Sequence, residues 1–235
     1  MRGAALPGRA VTRASAASAV VVAVLLLLLT GCGGSSESSF RGADRATPQS
    51  GPGVEKLWTF DEEPAGGLPD GAQVFSGTWE IRPEPDAPTE PNALCQTGEA
   101  EFPALVLGDA AYTDVALSAS FKPISGREDQ AAGLIFRVED EGNYYILRAN
   151  ALEDNVDVYK YSGGERGELA SEPAEVEAGE WQELRVEAVG GEIRGFLDDE
   201  LVVAAKDDEF PAGRVGLWTK ADSKTCFDRV LSATP

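Results

Sequence analysis

GLIFRVEDEGNYYILRANALEDNVDVYKY, residues 133–161, is the stretch that decides the fold class. It divides into three runs, 133–138, 144–150 and 156–161, each rich in β-branched or aromatic residues. Between them lie EDEGN and ALEDN, whose Gly, Asn and Asp are the residues that tight turns use. The pattern predicts three consecutive antiparallel β-strands. With a four-residue loop at 139–142, Val138 faces Asn143, Arg137 faces Tyr144 and Gly133 faces Arg148. Side chains alternate along a strand, so Leu134, Phe136, Val138, Tyr145 and Leu147 are expected on one face. Arg137, Tyr144, Arg148 and Asn150 are expected on the other. An apolar face backed by long polar and aromatic groups fits a sheet that covers a core and also binds something. It fits equally a solvated outer face with Arg and Tyr stems laid along it.

The same period-two texture continues outward. LWTF (57–60), GTWEI (77–81), LCQT (94–97), ALVL (104–107) and VALSASFK (115–122) precede the stretch. WQELRVEAV (181–189), EIRGFLD (192–198), ELVVAA (200–205), RVGLWTK (214–220) and TCFDRVL (225–231) follow it. No window sustains apolar residues at i, i+3 and i+4. Many short strands at this spacing specify an all-β fold, a two-sheet antiparallel sandwich. Gly190-Gly191 and Asp198-Asp199 read as hairpin turns. The 26 glycines fit tight turns better than a phosphate loop, since neither GxxxxGK[ST] nor a strand-linked GxGxxG occurs.

The chain opens with a different texture. Arg2, Arg9 and Arg13 form a basic region without acids, and Ala19 to Leu29 are an unbroken apolar run. That run is too short for a bilayer core of about 30 Å but suits a signal peptide. Leu29-Thr30-Gly31-Cys32 resembles the bacterial lipobox, which implies cleavage after residue 31, a diacylated Cys32 and an extracytoplasmic protein anchored to the membrane by lipid alone. Residues 33–53, rich in Gly, Ser and Pro, read with Cys32 as a flexible tether over 32–53, leaving 54–235 as one domain.

Composition narrows the function. Removing residues 1–31 takes away three arginines and no acid, so 20 basic residues become 17 against 40 acids, a net of −23. Such a surface argues against nucleic acid and anionic membranes as partners. It permits Ca²⁺, but no loop has EF-hand spacing, so no cofactor is assigned and metal binding stays open. Histidine is absent, which excludes Ser-His-Asp and Cys-His activation, histidine-ligated zinc and imidazole acid–base catalysis. With Cys32 in the lipobox, Cys95 and Cys226 make an even pair in an oxidising compartment and read as a disulfide, with two separate buried thiols as the alternative.

GTWEI, AAGLIFRVEDEGNYYILRAN, NVDVYKY, GEWQELRVEAVGGEIRGFLDDELV and GRVGLWTKADSKTCFD, in that order, resemble concanavalin A-like jelly-roll domains. Within these they are similar to the DUF1080 group, also called the 3-keto-disaccharide hydrolase or family 16 glycoside hydrolase-like family. The resemblance covers about residues 54–235 and implies a two-sheet jelly roll whose concave face accommodates a glycan. It departs from the glucanases of this fold, which carry an ExDxE or ExDxxE strand. Glu84-Pro-Asp86-Ala-Pro-Thr-Glu90 has one residue too many after the Asp. Its prolines cannot donate to a ladder, so it reads as a loop with unaligned carboxylates.

Sugar sites combine an aromatic platform with planar polar groups that fix hydroxyls. Arg137, Tyr144, Arg148, Asn150, Asp157 and Tyr159 could supply these from three adjacent strands. Trp218, Lys220 and Asp222, at the end of a late strand, could line the rim, although a buried Trp and a polar turn would look the same. Trp58, Trp79 and Trp181 read as core. Glu153, Asp154 and Asp157 lie near the ligand face, but no spacing selects an acid and a base as glycoside hydrolysis requires. The leading expectation is therefore a lipid-anchored, monomeric carbohydrate-binding module without catalysis of its own. A glycoside hydrolase or lyase and a structural or protein-interaction domain are the alternatives.

Overall fold

A computed structural model describes residues 48–49 and 55–235. The signal segment, Cys32 and most of the tether lie outside the described residues. Sixteen β-strands and no helix occur among those residues. They are β1 (Pro48–Gln49), β2 (Glu55–Trp58), β3 (Gln73–Ser76), β4 (Trp79–Pro83), β5 (Asn92–Gln96), β6 (Ala104–Tyr112), β7 (Val115–Ser125) and β8 (Ala131–Asp140). There follow β9 (Asn143–Asn150), β10 (Asn155–Ser162), β11 (Glu165–Pro173), β12 (Gln182–Val189), β13 (Glu192–Leu197), β14 (Glu200–Lys206), β15 (Gly213–Trp218) and β16 (Lys224–Ala233).

The strands form two sheets. The first runs β1-β6-β15-β8-β9-β10-β11, with β3 also paired to β6, and the second runs β14-β13-β12-β7-β16-β5-β4, with β2 also paired to β16. Strands far apart in sequence are neighbours in each sheet, as in a jelly-roll sandwich. The expected strands are all present, and the central stretch supplies β8, β9 and β10. Two strands carry no signal in the reading above: Gln73–Ser76 and the edge strand Glu165–Pro173. Pro48–Gln49, inside the stretch read as tether, pair in parallel with Ala111–Tyr112.

The main core fills the space between the sheets. Leu134, Phe136, Tyr145, Leu147 and Leu217 come from the first sheet; Ile81, Leu117, Phe121, Leu184, Val186 and Phe227 come from the second. Each large apolar side chain fully buried here contributes about 1.5–3 kcal/mol. Trp58 and Trp79 join this core, whereas Trp181 packs on the outer face of the second sheet beside Ala87, Ala93 and the cysteines.

On that outer face Cys95 and Cys226 stand directly opposite each other on β5 and β16 and form a disulfide, 131 residues apart in sequence. In the chain-entropy picture a loop of that length contributes about 4–5 kcal/mol. The Glu84–Glu90 segment is a loop, as its prolines require. Lys122 draws Glu84 and Asp86 together there, so these acids do not project from one strand face.

The hairpin between β8 and β9 departs from the expected four-residue loop. Gly133 faces Arg148 as expected and Phe136 faces Tyr145, but Asp140 then pairs with Asn143, so Glu141 and Gly142 alone form the turn. Asp140 draws it tight by accepting hydrogen bonds from the Gly142 N–H and the Asn143 side-chain amide. Three residues, Arg137 to Glu139, therefore oppose Tyr144, and the bulge turns on Arg137, whose φ is 50°. Val138 is thereby moved off the core face and packs with Tyr144, Ile135 and Ile146 on the outer side of the sheet.

Candidate functional site

Register across the first sheet sets its outer face in rows. Trp218, Gly133, Arg148, Asp157 and Ser171 form one row over β15, β8, β9, β10 and β11. Ile135, Ile146, Tyr159 and Glu168 form the next, and Tyr144, Tyr161 and Arg166 a third. Gly133 lets Trp218 lie close in its row, because a Cβ there would be 3.0 Å from the ring and would press it outward. Instead of being solvated, the face is packed: Tyr144, Ile146, Tyr159 and Trp218 form a second buried cluster, with Phe75, Phe102 and Tyr161 against it.

Arg148 is the centre of the polar part, and only 2% of it is exposed. Its Nη2 donates to Glu153 Oε2 at 2.6 Å, to Asn155 Oδ1 at 2.9 Å and to Asp157. Asp157, equally buried, also accepts from the Tyr159 hydroxyl at 2.7 Å and from the Ser171 hydroxyl. In the loop before β8, Asp129 accepts from Asn150 Nδ2 at 2.8 Å and from Lys220 Nζ. Asp222 takes the backbone N–H groups of Arg127, Glu128 and Asp129, and these bonds hold its carboxyl below the usual range. Burial, and then the bond to Asp157, pushes the Tyr159 phenol up; burial likewise raises Tyr144. Burial would raise Glu153 too, but the charge and hydrogen bond of Arg148 outweigh it and the shift is downward.

Above this floor lies a groove of about 640 Å³, lined among others by Phe102, Glu101, Glu128, Arg166, Lys220 and Asp222. Arg166 stacks on Tyr159 and Phe102, and Phe102 stacks on Trp218. Among the described residues no group of three or more His, Cys, Asp or Glu is arranged to hold a metal ion.

All but one of the nine ligand-face residues expected from sequence lie on this face or its rim. Arg137 does not. The bulge carries its side chain away to the backbone carbonyls of Thr113, Phe210 and Gly190, with Asp114 3.8 Å away. Tyr144, Arg148, Asn150, Asp157, Tyr159 and Trp218 belong to the face but are buried, and for Trp218 that is the alternative the sequence left open. Phe102, Asp129, Asn155, Arg166 and Ser171 carry no signal in the sequence that marks them for this face. Phe102 and Asp129 sit in loops, and Arg166 and Ser171 on the edge strand whose polar sequence lacks alternation.

Two antiparallel sheets packed face to face, with an aromatic and charged groove outside one of them, define a concanavalin A-like jelly-roll domain. The chain belongs to the 3-keto-alpha-glucoside-1,2-lyase-like domain family, whose pattern matches residues 65–230. It is 27% identical over 136 residues to a levanase of Bacillus subtilis (strain 168), a match spanning 57% of this chain but only 20% of the levanase. Carbohydrate binding module CBM66 from Bacillus subtilis shares the fold with a TM-score of 0.59 and 24% identity, over 70% of this chain and 96% of that one. A Bacillus subtilis protein of unknown function with a galectin-like fold gives a TM-score of 0.53 at 10% identity, over 76% and 98% of the two chains.

Proposed function

We propose that this chain is a carbohydrate-binding module that holds a glycan in the groove outside its first sheet, without catalysis of its own, and that a lipid on Cys32 anchors it outside the cytoplasm. The observation that carries the reading is the buried network of Arg148, Asp157, Tyr159 and Asp129 beneath that groove. Burying paired charges gains little stability over apolar packing, so such a network on a face the core does not need favours a binding role. Aromatic rings beside fixed donors and acceptors suit a sugar, which offers apolar C–H faces and hydroxyl edges. The names of the family and of the levanase both refer to saccharides, and levan is the natural first probe.

The carboxyls argue for binding over hydrolysis. A general acid must be held protonated, yet Glu153, bonded to Arg148, and Asp222, which lines the groove, shift the other way. The carboxyls that burial raises, Glu84, Glu183 and Asp228, all belong to the second sheet or its covering loop. The lipobox sequence supports the anchor, and a disulfide suits an oxidising compartment.

A glycan array that includes levan, probed with and without chelator, tests the binding. Retention of a saccharide that weakens in Lys220→Ala supports the reading; no retention across the array sinks it. Release of free sugar from a retained glycan would make the chain the hydrolase or lyase instead. For the anchor, fatty-acid labelling should be lost in Cys32→Ala.

A further inference from the structure

The aromatic floor of the groove is covered. Trp218 is fully buried and Tyr159 is 7% exposed. Arg166, on the edge strand β11, lays its guanidinium 4.4 Å from the centre of the Tyr159 ring and 5.9 Å from that of Trp218. The Phe102 ring stacks on Trp218 at 5.9 Å and lies 5.1 Å from the same guanidinium. A flat group with polar edges, laid on an aromatic face, is also how a sugar ring sits on Trp or Tyr.

The covering leaves hydrogen bonds unmade. Nη1 of Arg166 is buried without a partner among the described residues, and so is Nε of Arg148, whose guanidinium lies 5.4 Å from the same Tyr159 ring. The Trp218 indole N–H approaches the Tyr144 hydroxyl without the geometry of a bond. All three are donors, and Arg148 and Trp218 are almost wholly buried. Buried donors are seldom left unpaired, and those of Arg148 and Trp218, beside the rings that Arg166 covers, call for a group rich in acceptor oxygens once it moves aside.

We propose that Arg166 occupies, in the ligand-free protein, the subsite on Tyr159 and Trp218 that a saccharide ring takes in the complex, its guanidinium swinging aside on binding. This rests on the carbohydrate-binding reading and adds to it a residue that sets how readily the subsite opens. Arg148 cannot move in this way, being tied to Glu153, Asn155 and Asp157. Arg166 is held over the rings by stacking, on an edge strand two residues from the Gly163-Gly164 turn, where even an added Cβ would meet nothing within 4 Å. If the open form is the minor one, apparent affinity is reduced by its fraction, and removing the guanidinium lifts that reduction.

The test uses the purified full-length chain, with Trp218→Phe as the reference that isolates the Trp218 emission. Acrylamide should quench Trp218 weakly in the wild type and several-fold more strongly in Arg166→Ala. In gels containing levan, Arg166→Ala should bind more tightly by about tenfold, as expected for release from a closed form populated about nine times in ten. Unchanged quenching overturns the proposal. So does weakened levan binding with increased quenching, which would make Arg166 an ordinary ligand contact. Retention of neither protein by levan or by any glycan on the array would sink the carbohydrate reading itself, and this proposal with it. Should Arg166→Ala fail to fold, Arg166→Lys, which keeps the charge but has no plane to stack, answers the same questions.

Discussion

Arg148 carries its charge to a place where water has little access, and Asp157, Glu153 and Asn155 replace the lost hydration. Taking one partner from such a set leaves an uncompensated buried charge, at about 3–5 kcal/mol. Arg148→Ala is therefore expected to lower stability by that much in urea denaturation; a loss within the range of exposed substitutions, below about 0.5 kcal/mol, would contradict the burial. Glu153 gives a pH signature. Arg148 holds its folded-state pKa below the usual 4.5, so below that value the unfolded chain takes up the proton first. The stabilisation is present above pH 4.5 and fades as pH falls through the depressed value. Thermal melts from about pH 6 to about pH 3 should show wild type and Glu153→Gln converging on acidification. A gap that widened instead would contradict the pairing.

The β8–β9 hairpin shows what was legible in the sequence and what was not. Alternation located both strands, whereas the Gly133–Arg148 register followed from the four-residue loop and holds because the two extra residues of the bulge offset the two-residue turn. The bulge was hidden, since a positive φ falls on Arg137 where sequence offers no Gly, Asn or Asp to mark it. Its consequence is structural: one guanidinium binds three carbonyls from separate connections. Burial lowers the pKa of Arg137, with nearby Asp114 acting against that shift. Arg137→Ala should thus cost about 1–3 kcal/mol, as carbonyls that lose a buried donor do, and leave glycan binding to the surviving fold intact. Loss of binding without loss of stability would return Arg137 to the ligand face. The edge strand β11 escaped notice for a related reason: mostly exposed residues on both faces leave ERGELASEP without alternation. Arg166 was missed with it.

At the scale of the molecule, the two sheets share one core but present different outer faces. The second carries the disulfide and three carboxyls whose pKa burial raises. The first buries aromatics and paired charges under a groove. This division was partly readable, because Tyr144, Arg148, Asp157 and Tyr159 alternate with core residues on β9 and β10. The wall that Phe102 adds to the groove was not, since Phe102 comes from a loop distant in sequence, and neither was Asp129, buried in another loop. The central claim is that a saccharide binds outside the first sheet. Amide chemical-shift mapping during titration with levan oligosaccharides, or with the best ligand from the array, tests it most directly. The account predicts shifts at Phe102, Gly133, Arg148, Asp157, Arg166 and Lys220, with the residues around Cys95, Glu183 and Asp228 unmoved. Shifts confined to the second sheet would contradict it.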